Sequence, residues 1–250
     1  MKRIVLFIII TLFLINLTKA QKDTANQTDP KGLKQGYWSD FNAGMRETGY
    51  YKDGKRVGSW ASYHNNGVVA RLESYLDGEK NGYVVNIDQS GYLTKEECYK
   101  NGVLNGIHKE YTAGARLTIE ANYKMGKLHG YYTRYYDNNK IQERSEYFNG
   151  IKNGISVWFS QEGKKIVEYN YVNGVFSGIQ KTFFSNENVE SETSYANNIQ
   201  NGPYKEYYES GKIKVTGAYF NGEKDGEWSE FSEEGKIIKS TKFYKGKDKK

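Results

Sequence analysis

The residues that most often bind metals or carry out catalysis are scarce in this 250-residue chain, and they are not grouped. Its three histidines, His64, His108 and His129, are far apart and fall at unrelated points of the repeat described below. Zinc ligands instead come in short, regular spacings. We therefore interpret all three as structural residues, and the sequence predicts no metal site and no cofactor.

The single cysteine and the acidic pairs do not form a catalytic group either. Cys98 stands in a column of polar, variable residues with no base predicted beside it, so we interpret it as an incidental thiol. Neighbouring acids such as Glu96 and Glu97 point to opposite faces of a strand, which is not the arrangement of a general acid and base. We expect a protein that is not an enzyme.

A set of aromatic side chains is the clearest candidate for ligand binding, because the strand pattern given below places them together on one face. Half-exposed aromatic rings on a flat sheet stack on sugars or hold a peptide or partner protein. A second packing layer, covering that side of the sheet, is the alternative interpretation. The candidate binding-face aromatics are Trp38, Trp60, Tyr132, Trp158, Tyr204 and Trp228.

These residues recur because one unit of 24 residues is copied about nine times. We number each unit from its first glycine, which is position zero. Position five is aromatic or aliphatic, position eleven is aliphatic in most copies, position seventeen is Tyr or Phe, and position twenty is a second glycine. A shorter first copy begins at Gly36, and the later copies begin at Gly58, Gly82, Gly106, Gly130, Gly154, Gly178, Gly202 and Gly226.

Each unit predicts a β-hairpin. A glycine at position nine, as at Gly67, favours a three-residue loop with a left-handed last residue, which pairs positions five and eleven across the strands. Position seventeen shares the parity of position eleven, so we expect its tyrosines on the face of the position-five aromatics. Position two then points to the other face. Asn198 replaces the second glycine once, which predicts a positive φ there.

The expected fold is all-β: an elongated antiparallel meander, a ribbon or solenoid of hairpin repeats, over residues 36–246. Residues 1–20 predict a signal peptide, since Lys2 and Arg3 precede an apolar run and Ala20 offers a small residue for cleavage. The apolar run is shorter than the ~20 residues of a membrane-spanning helix. Residues 21–35 are predicted to be a linker and residues 247–250 a basic tail.

The pattern resembles a known family at Gly58-Ser59-Trp60-Ala61-Ser62-Tyr63 and Tyr75-Leu76-Asp77-Gly78-Glu79-Lys80-Asn81-Gly82. This arrangement of glycines and aromatics resembles the MORN repeat, in the variant form common in bacterial proteins that are often labelled antitoxins of the YwqK family. The resemblance covers about residues 36–246. It implies an elongated array of β-hairpins that serves as an interaction surface and is antitoxin-like.

We therefore expect a secreted or periplasmic, non-catalytic repeat scaffold that mediates protein–protein interaction. The alternative is binding of carbohydrate or a cell-wall polymer through exposed aromatic residues. The net charge of +6 includes three cations of the predicted signal peptide and several lysines after residue 241, so basicity does not indicate a nucleic-acid partner. Membrane association is not expected apart from the signal peptide.

Overall fold

The computed structural model of the chain describes residues 25–42 and 44–249, so the predicted signal peptide lies outside the described residues. Within these ranges the regular elements are twenty-one β-strands. They contain no helix that is long and apolar enough to cross a membrane. The prediction of an all-β antiparallel meander is confirmed. The chain divides into two compact units, with the border between Arg116 and Leu117.

In the first unit, each strand pairs antiparallel with the next strand along the chain. The short β1 and the start of β2 fall in the segment that the sequence predicts as a linker. The strands are β1 (Gln27–Thr28), β2 (Lys34–Asn42), β3 (Met45–Lys52), β4 (Lys55–Tyr63), β5 (Val69–Leu76), β6 (Glu79–Ile87), β7 (Leu93–Lys100) and β8 (Val103–Thr112).

The second unit repeats this meander, with β13 pairing both the short β14 and β15. β21 lies in the predicted basic tail. The strands are β9 (Arg116–Lys124), β10 (Lys127–Tyr135), β11 (Ile141–Phe148), β12 (Ile151–Phe159), β13 (Lys165–Val172), β14 (Val175–Phe176), β15 (Gly178–Phe183), β16 (Val189–Ala196), β17 (Ile199–Tyr207), β18 (Ile213–Phe220), β19 (Glu223–Phe231), β20 (Ile237–Tyr244) and β21 (Lys247–Asp248).

The two kinds of turn follow the predicted glycine chemistry. In the first turn, the His64 amide donates to the Val68 carbonyl at 2.8 Å and Gly67 has a φ of 81°. Tyr63 lies opposite Val69, so positions five and eleven pair as predicted. In the second turn, Asn198 takes the place of glycine with a φ of 67°, which confirms the left-handed position.

The predicted face of the position-seventeen tyrosines is wrong, because a β-bulge lies between positions eleven and thirteen. Ser62 pairs with Arg71 while Tyr63 pairs with Val69, which leaves Ala70 as an extra residue on β5. An extra residue moves every later side chain to the other face. Tyr75 therefore lies beside Trp60, with ring centroids 6.4 Å apart. The same shift occurs in the hairpins that begin at Gly82, Gly130, Gly154, Gly178, Gly202 and Gly226.

We call the face that carries positions two and seventeen the tyrosine face and the other the aliphatic face. On the aliphatic face of the first unit, positions three, five, eleven and fourteen form a buried apolar cluster. Its members are Ala61, Leu72, Val85, Ile87 and Leu93. The hairpins thus bury side chains only by lying beside their neighbours, as expected of a repeat protein.

Candidate functional site

A single row of side chains runs along the tyrosine face, because position two of each repeat lies opposite position fifteen of the strand beside it. Large and small residues alternate along much of this row. In the first unit it is Trp38, Gly49, Trp60, Glu73, Val84, Glu97 and His108. In the second unit it is Ala121, Tyr132, Ser145, Ser156, Tyr169, Gln180, Thr193, Tyr204, Gly217, Trp228 and Thr241.

Two of the predicted binding-face aromatics are buried in this row. Trp60 is 4% exposed and Trp228 is 7% exposed. The indole N–H of Trp60 donates to the Tyr50 carbonyl at 3.2 Å, and that of Trp228 donates to the Ala218 carbonyl at 3.1 Å. Their faces and their polar atoms are thus both used within the fold, as in a packing layer.

Glycine is required next to each of these indoles. A Cβ added to Gly49 would lie 2.2 Å from the ring of Trp60, and a Cβ added to Gly217 would lie 2.2 Å from the ring of Trp228. Neither glycine has a positive φ, so backbone conformation does not require glycine at these positions. Glycine is required because a side chain would occupy the space of the indole ring. Where position two holds the smaller Val84, position fifteen of the preceding repeat holds Glu73 instead.

The other four candidate aromatics, Trp38, Tyr132, Trp158 and Tyr204, are half-buried. Tyr204 stacks on Trp228, with centroids 5.2 Å apart and planes 25° apart, so the structure brings these two together. Trp38 and Trp60 both pack against Tyr51. The ring centroids of Trp38 and Tyr51 are 5.6 Å apart, and those of Trp60 and Tyr51 are 4.9 Å apart.

Trp158 and Tyr132 have different neighbours. Trp158 is at position four and pairs with Glu143, and Tyr132 packs against Tyr147 with ring centroids 6.1 Å apart. The six aromatics form no single cluster.

Sequence reasoning missed the cations at position twenty-two, which stand two residues before five of the nine repeat-opening glycines. Arg56 lies 4.0 Å from the Trp60 ring centroid and 2.6 Å from the Glu47 carboxylate. Burial opposes its charge, but hydrogen bonds to Tyr51 and Glu47 outweigh burial and raise the pKa of Arg56 above its ordinary value. The signal is visible in the sequence as a column of Lys34, Arg56, Lys80, Lys152 and Lys224.

A closed polar network replaces the large side chains at the middle of the second unit. The hydroxyls of Ser145 and Ser156 are 2.5 Å apart, and that of Ser145 also donates to Glu143 at 2.7 Å. Lys152 completes the network at 3.0 Å from the same carboxylate oxygen. Such a network stabilises the sheet, since its polar groups satisfy one another.

The histidines and the cysteine are separated, as their columns predict. His108 lies between Glu97 at 3.3 Å and Glu110 at 3.1 Å, whereas His64 contacts the Ile87 carbonyl at 2.8 Å. Cys98 is half-buried. Among the described residues no group of three or more His, Cys, Asp or Glu side chains is placed to hold a metal ion.

The aliphatic face carries exposed apolar side chains where its strands approach the Asn-Gly turns of the second unit. They occupy positions eighteen, twenty-one and one, and each is between 45% and 56% exposed. Phe148 pairs with Ile151, and Ile151 lies so close to the next turn that a Cβ added to Gly174 would be 2.9 Å from its side chain. We call this set the turn-edge strip: Phe148, Ile151, Ile155, Val172, Ile179 and Ile199.

Comparison with known proteins supports the repeat assignment. The family model described as MORN repeat variant matches residues 128–149, 176–197, 200–221 and 224–245. No curated protein matches the chain. A solved structure described as "Crystal Structure of TcdB2-TccC3-Cdc42" is similar at 10% sequence identity and a TM-score of 0.17, over 87% of this chain. The chain spans only 15% of the length of that structure.

The four matched segments lie in the second unit. In the first unit, the hairpins that begin at Gly58 and Gly82 share their register at the three-residue turn and the bulge. MORN repeats are generally associated with protein and membrane interaction scaffolds. The YwqK subtype and the number of repeats stay predictions. Residues 128–245 of the chain contain MORN-variant repeats.

Proposed function

We propose that this chain is a secreted or periplasmic, non-catalytic scaffold that binds a protein partner through the turn-edge strip. The exposure of six branched or aromatic side chains on neighbouring hairpins carries the proposal. Soluble monomers seldom expose large contiguous apolar patches unless these patches bind something. The strip therefore has the character expected of the centre of an interface.

The surroundings of the strip suit a protein partner. Across the sheet, Ile155 pairs with Asn170 and Ile179 pairs with Ser194, so polar side chains lie between the apolar ones. A protein interface usually combines apolar contacts with direct hydrogen bonds, and these polar neighbours can supply such bonds. Burying each strip residue would contribute on the order of 1 kcal/mol at ~25 cal/mol per Å².

Binding of a carbohydrate or cell-wall polymer is the weaker candidate, because it depends on exposed aromatic faces. Trp60 and Trp228 have their rings covered and their N–H groups bonded to backbone carbonyls. Half-buried Trp38 is the candidate best placed for stacking on a sugar. Retention on insoluble peptidoglycan that fell after Trp38→Ala, but not after changes in the strip, would favour this alternative.

The strip is tested by partner capture from the envelope fraction of the cells that produce the protein. Ile155→Lys with Ile179→Lys should abolish recovery of the partner, because two charges would have to be buried in the interface. Ile237→Lys with Ile238→Lys is the matched control, since these isoleucines are 63% and 65% exposed and lie outside the strip. Equal recovery with both double variants would overturn the proposal.

Secretion is part of the same proposal and rests on the pattern of residues 1–20. The protein recovered from its native cells should begin near Gln21 and be found outside the cytoplasm. Intact-mass measurement of the fractionated protein checks both expectations. A full-length, uncleaved chain in the cytoplasmic fraction would contradict secretion and leave the binding strip unaffected.

A further inference from the structure

A side chain at position six joins neighbouring repeats along the edge formed by the three-residue turns. The hydroxyl of Tyr136 donates to the Phe159 carbonyl at 2.8 Å, and the hydroxyl of Tyr208 donates to the Phe231 carbonyl at 2.6 Å. In both cases the ring spans from one hairpin to position five of the next. The donor and the acceptor are 23 residues apart in each copy.

The repeat that begins at Gly154, directly after the repeat of Tyr136, breaks this pattern. Position six of that repeat is Ser160, whose side chain is too short to span to the equivalent acceptor, the carbonyl of Phe183. A recess of about 380 Å³ lies at this place, and Ser160 and Phe183 both line it. The recess therefore occupies the region that the ring of Tyr136 fills in the preceding repeat and that of Tyr208 fills two repeats further on. The repeat after Ser160 carries Phe184 at position six, which has no hydroxyl to donate.

The lining of the recess matches an aromatic ring with a polar end. Ile166, Phe183 and Phe184 supply apolar surface, and the ammonium of Lys165 lies 5.5 Å from the centroid of the Phe183 ring. At the rim, Lys164 donates to the Ser185 carbonyl. A carbonyl oxygen has two lone pairs, so that of Phe183 can accept a hydroxyl proton as its counterparts do.

We propose that this recess binds a tyrosine side chain of the partner protein, with the ring against Ile166 and Phe184 and the hydroxyl donating to the Phe183 carbonyl. The proposal rests on the proposed function, because it supplies the anchor residue of the partner. Tyrosine is common among the residues that dominate interfaces, since it combines a large apolar ring with a hydrogen-bonding end.

The test uses p-cresol, which is the side chain of tyrosine as a free molecule, and the purified chain labelled for NMR. Titration should shift the amide signals of Phe183, Phe184 and Ser185 in a saturable manner, with a Kd on the order of 1–10 mM. Toluene, which lacks the hydroxyl, should bind ~5-fold more weakly, since it cannot donate to the carbonyl. Absence of saturable shifts with p-cresol would overturn the proposal.

Two variants locate the binding. Ser160→Tyr should fill the recess with the chain's own ring and weaken p-cresol binding at least ~10-fold, whereas Ser160→Ala should leave the recess open and the Kd unchanged. A Kd for p-cresol that is unaffected by Ser160→Tyr would overturn the proposal. The Tm of Ser160→Tyr should not fall, because the new ring repeats an arrangement that the repeats of Tyr136 and Tyr208 already contain.

Partner capture separates this inference from the proposed function. Ser160→Tyr should reduce recovery of the partner while the strip is intact. If capture depends on Ile155 and Ile179 but p-cresol does not bind, the recess proposal alone fails. If p-cresol binds at the recess but the strip variants capture normally, the strip proposal alone fails.

Discussion

Tyrosine hydroxyls on the tyrosine face are held in their neutral form by their surroundings. Burial, followed by the nearby Glu206 carboxylate that accepts its hydrogen bond at 3.2 Å, raises the pKa of Tyr204 to about 12. Burial and Glu97 raise the pKa of Tyr99 to about 12 in the same way. A phenolate at either site would lie beside a carboxylate in a poorly solvated place, which is unfavourable.

The sign of the resulting pH dependence is fixed by these raised values. A pKa that is higher in the folded than in the unfolded chain stabilises the fold below the unfolded value of 10.0, and this contribution is lost as pH rises through about 12. Tyr204→Phe should therefore make the free energy of unfolding less sensitive to pH in this window. Urea unfolding between pH 9 and 12 measures this pH dependence. If the free energy of unfolding changed with pH as steeply in Tyr204→Phe as in the unchanged protein, the raised pKa of Tyr204 would be contradicted.

Backbone conformation at Glu187 is a second residue-scale feature with a measurable consequence. Glu187 stands at position nine with a φ of 68°, where the neighbouring repeats carry glycines such as Gly163 and Gly211. The left-handed region costs a residue with a Cβ ~1 kcal/mol or more. Glycine avoids that cost but loses more backbone entropy on folding. We therefore expect only a small net gain in the free energy of unfolding.

Glu187→Gly should thus stabilise the second unit by ~0.5 kcal/mol, which is seen as a higher midpoint of urea unfolding. Lys205→Gly is the control, because Lys205 is exposed and pairs with strands on both sides of β17, where glycine should lower the midpoint. A fall of the same size for both variants would show that the positive φ carries no strain.

At the scale of the hairpin, side chains in the three-residue turns tie each element to the next. Besides the Tyr136 contact, the amide of Asn138 donates to the Gln161 carbonyl at 2.7 Å, and the amide of Asn66 makes the same contact to Gln89 at 2.8 Å. These bonds join residues 23 apart. They make the turns, which are short and polar, part of the contact between repeats.

Tyr136→Phe removes one of these bonds without changing the ring. We expect a loss of ~0.5–1.5 kcal/mol in stability and faster amide exchange in the turn that follows Phe159. Tyr131→Phe is a matched control, because Tyr131 is 57% exposed and lies in a strand rather than a turn. Equal effects of the two changes would show that the bond to Phe159 contributes nothing.

Much of each hairpin could be predicted from the sequence, since turn chemistry is local. Gly67 and Asn198 mark left-handed positions, and such positions favour glycine or asparagine. The bulge could not be predicted in this way. Its extra residue is Ala70 in one copy and Ile166 in another, because a bulge of this kind does not require a positive φ.

The candidate site was predictable in part for a similar reason. The repeat columns place Trp60 and Trp228 at position two of their repeats, but their burial depends on Gly49 and Gly217 in the preceding strand, which no periodicity reveals. The cations of position twenty-two also form a column in the sequence. Their role appears only once Arg56 is seen above an indole and beside Glu47.

At the scale of the molecule, the described strands pair with their neighbours in sequence, and β13 also reaches β15 past the short β14. Each unit is therefore held together by a chain of local contacts. The effect of a packing fault should therefore decay along the array rather than destabilise it uniformly. This behaviour differs from that of a globular domain with one central core.

Gly217→Ala tests this expectation, because the new Cβ must displace the Trp228 ring. We expect a loss of ~1–3 kcal/mol, with faster amide exchange concentrated in β17 to β20 and little change in β3 to β6. Combining Gly217→Ala with Trp228→Val should restore most of the protection. Uniform loss of protection over both units would contradict local coupling.

The alternating row on the tyrosine face limits how such a gene can change its number of repeats. Recombination between copies adds or removes 24 residues and preserves every turn, yet it also brings together a position fifteen and a position two that have never been neighbours. A deletion that joined Glu73 to the repeat of Trp228 would place a carboxylate where Gly217 leaves room for the indole. Length can therefore vary freely only between repeats whose side chains at these two positions are compatible in size.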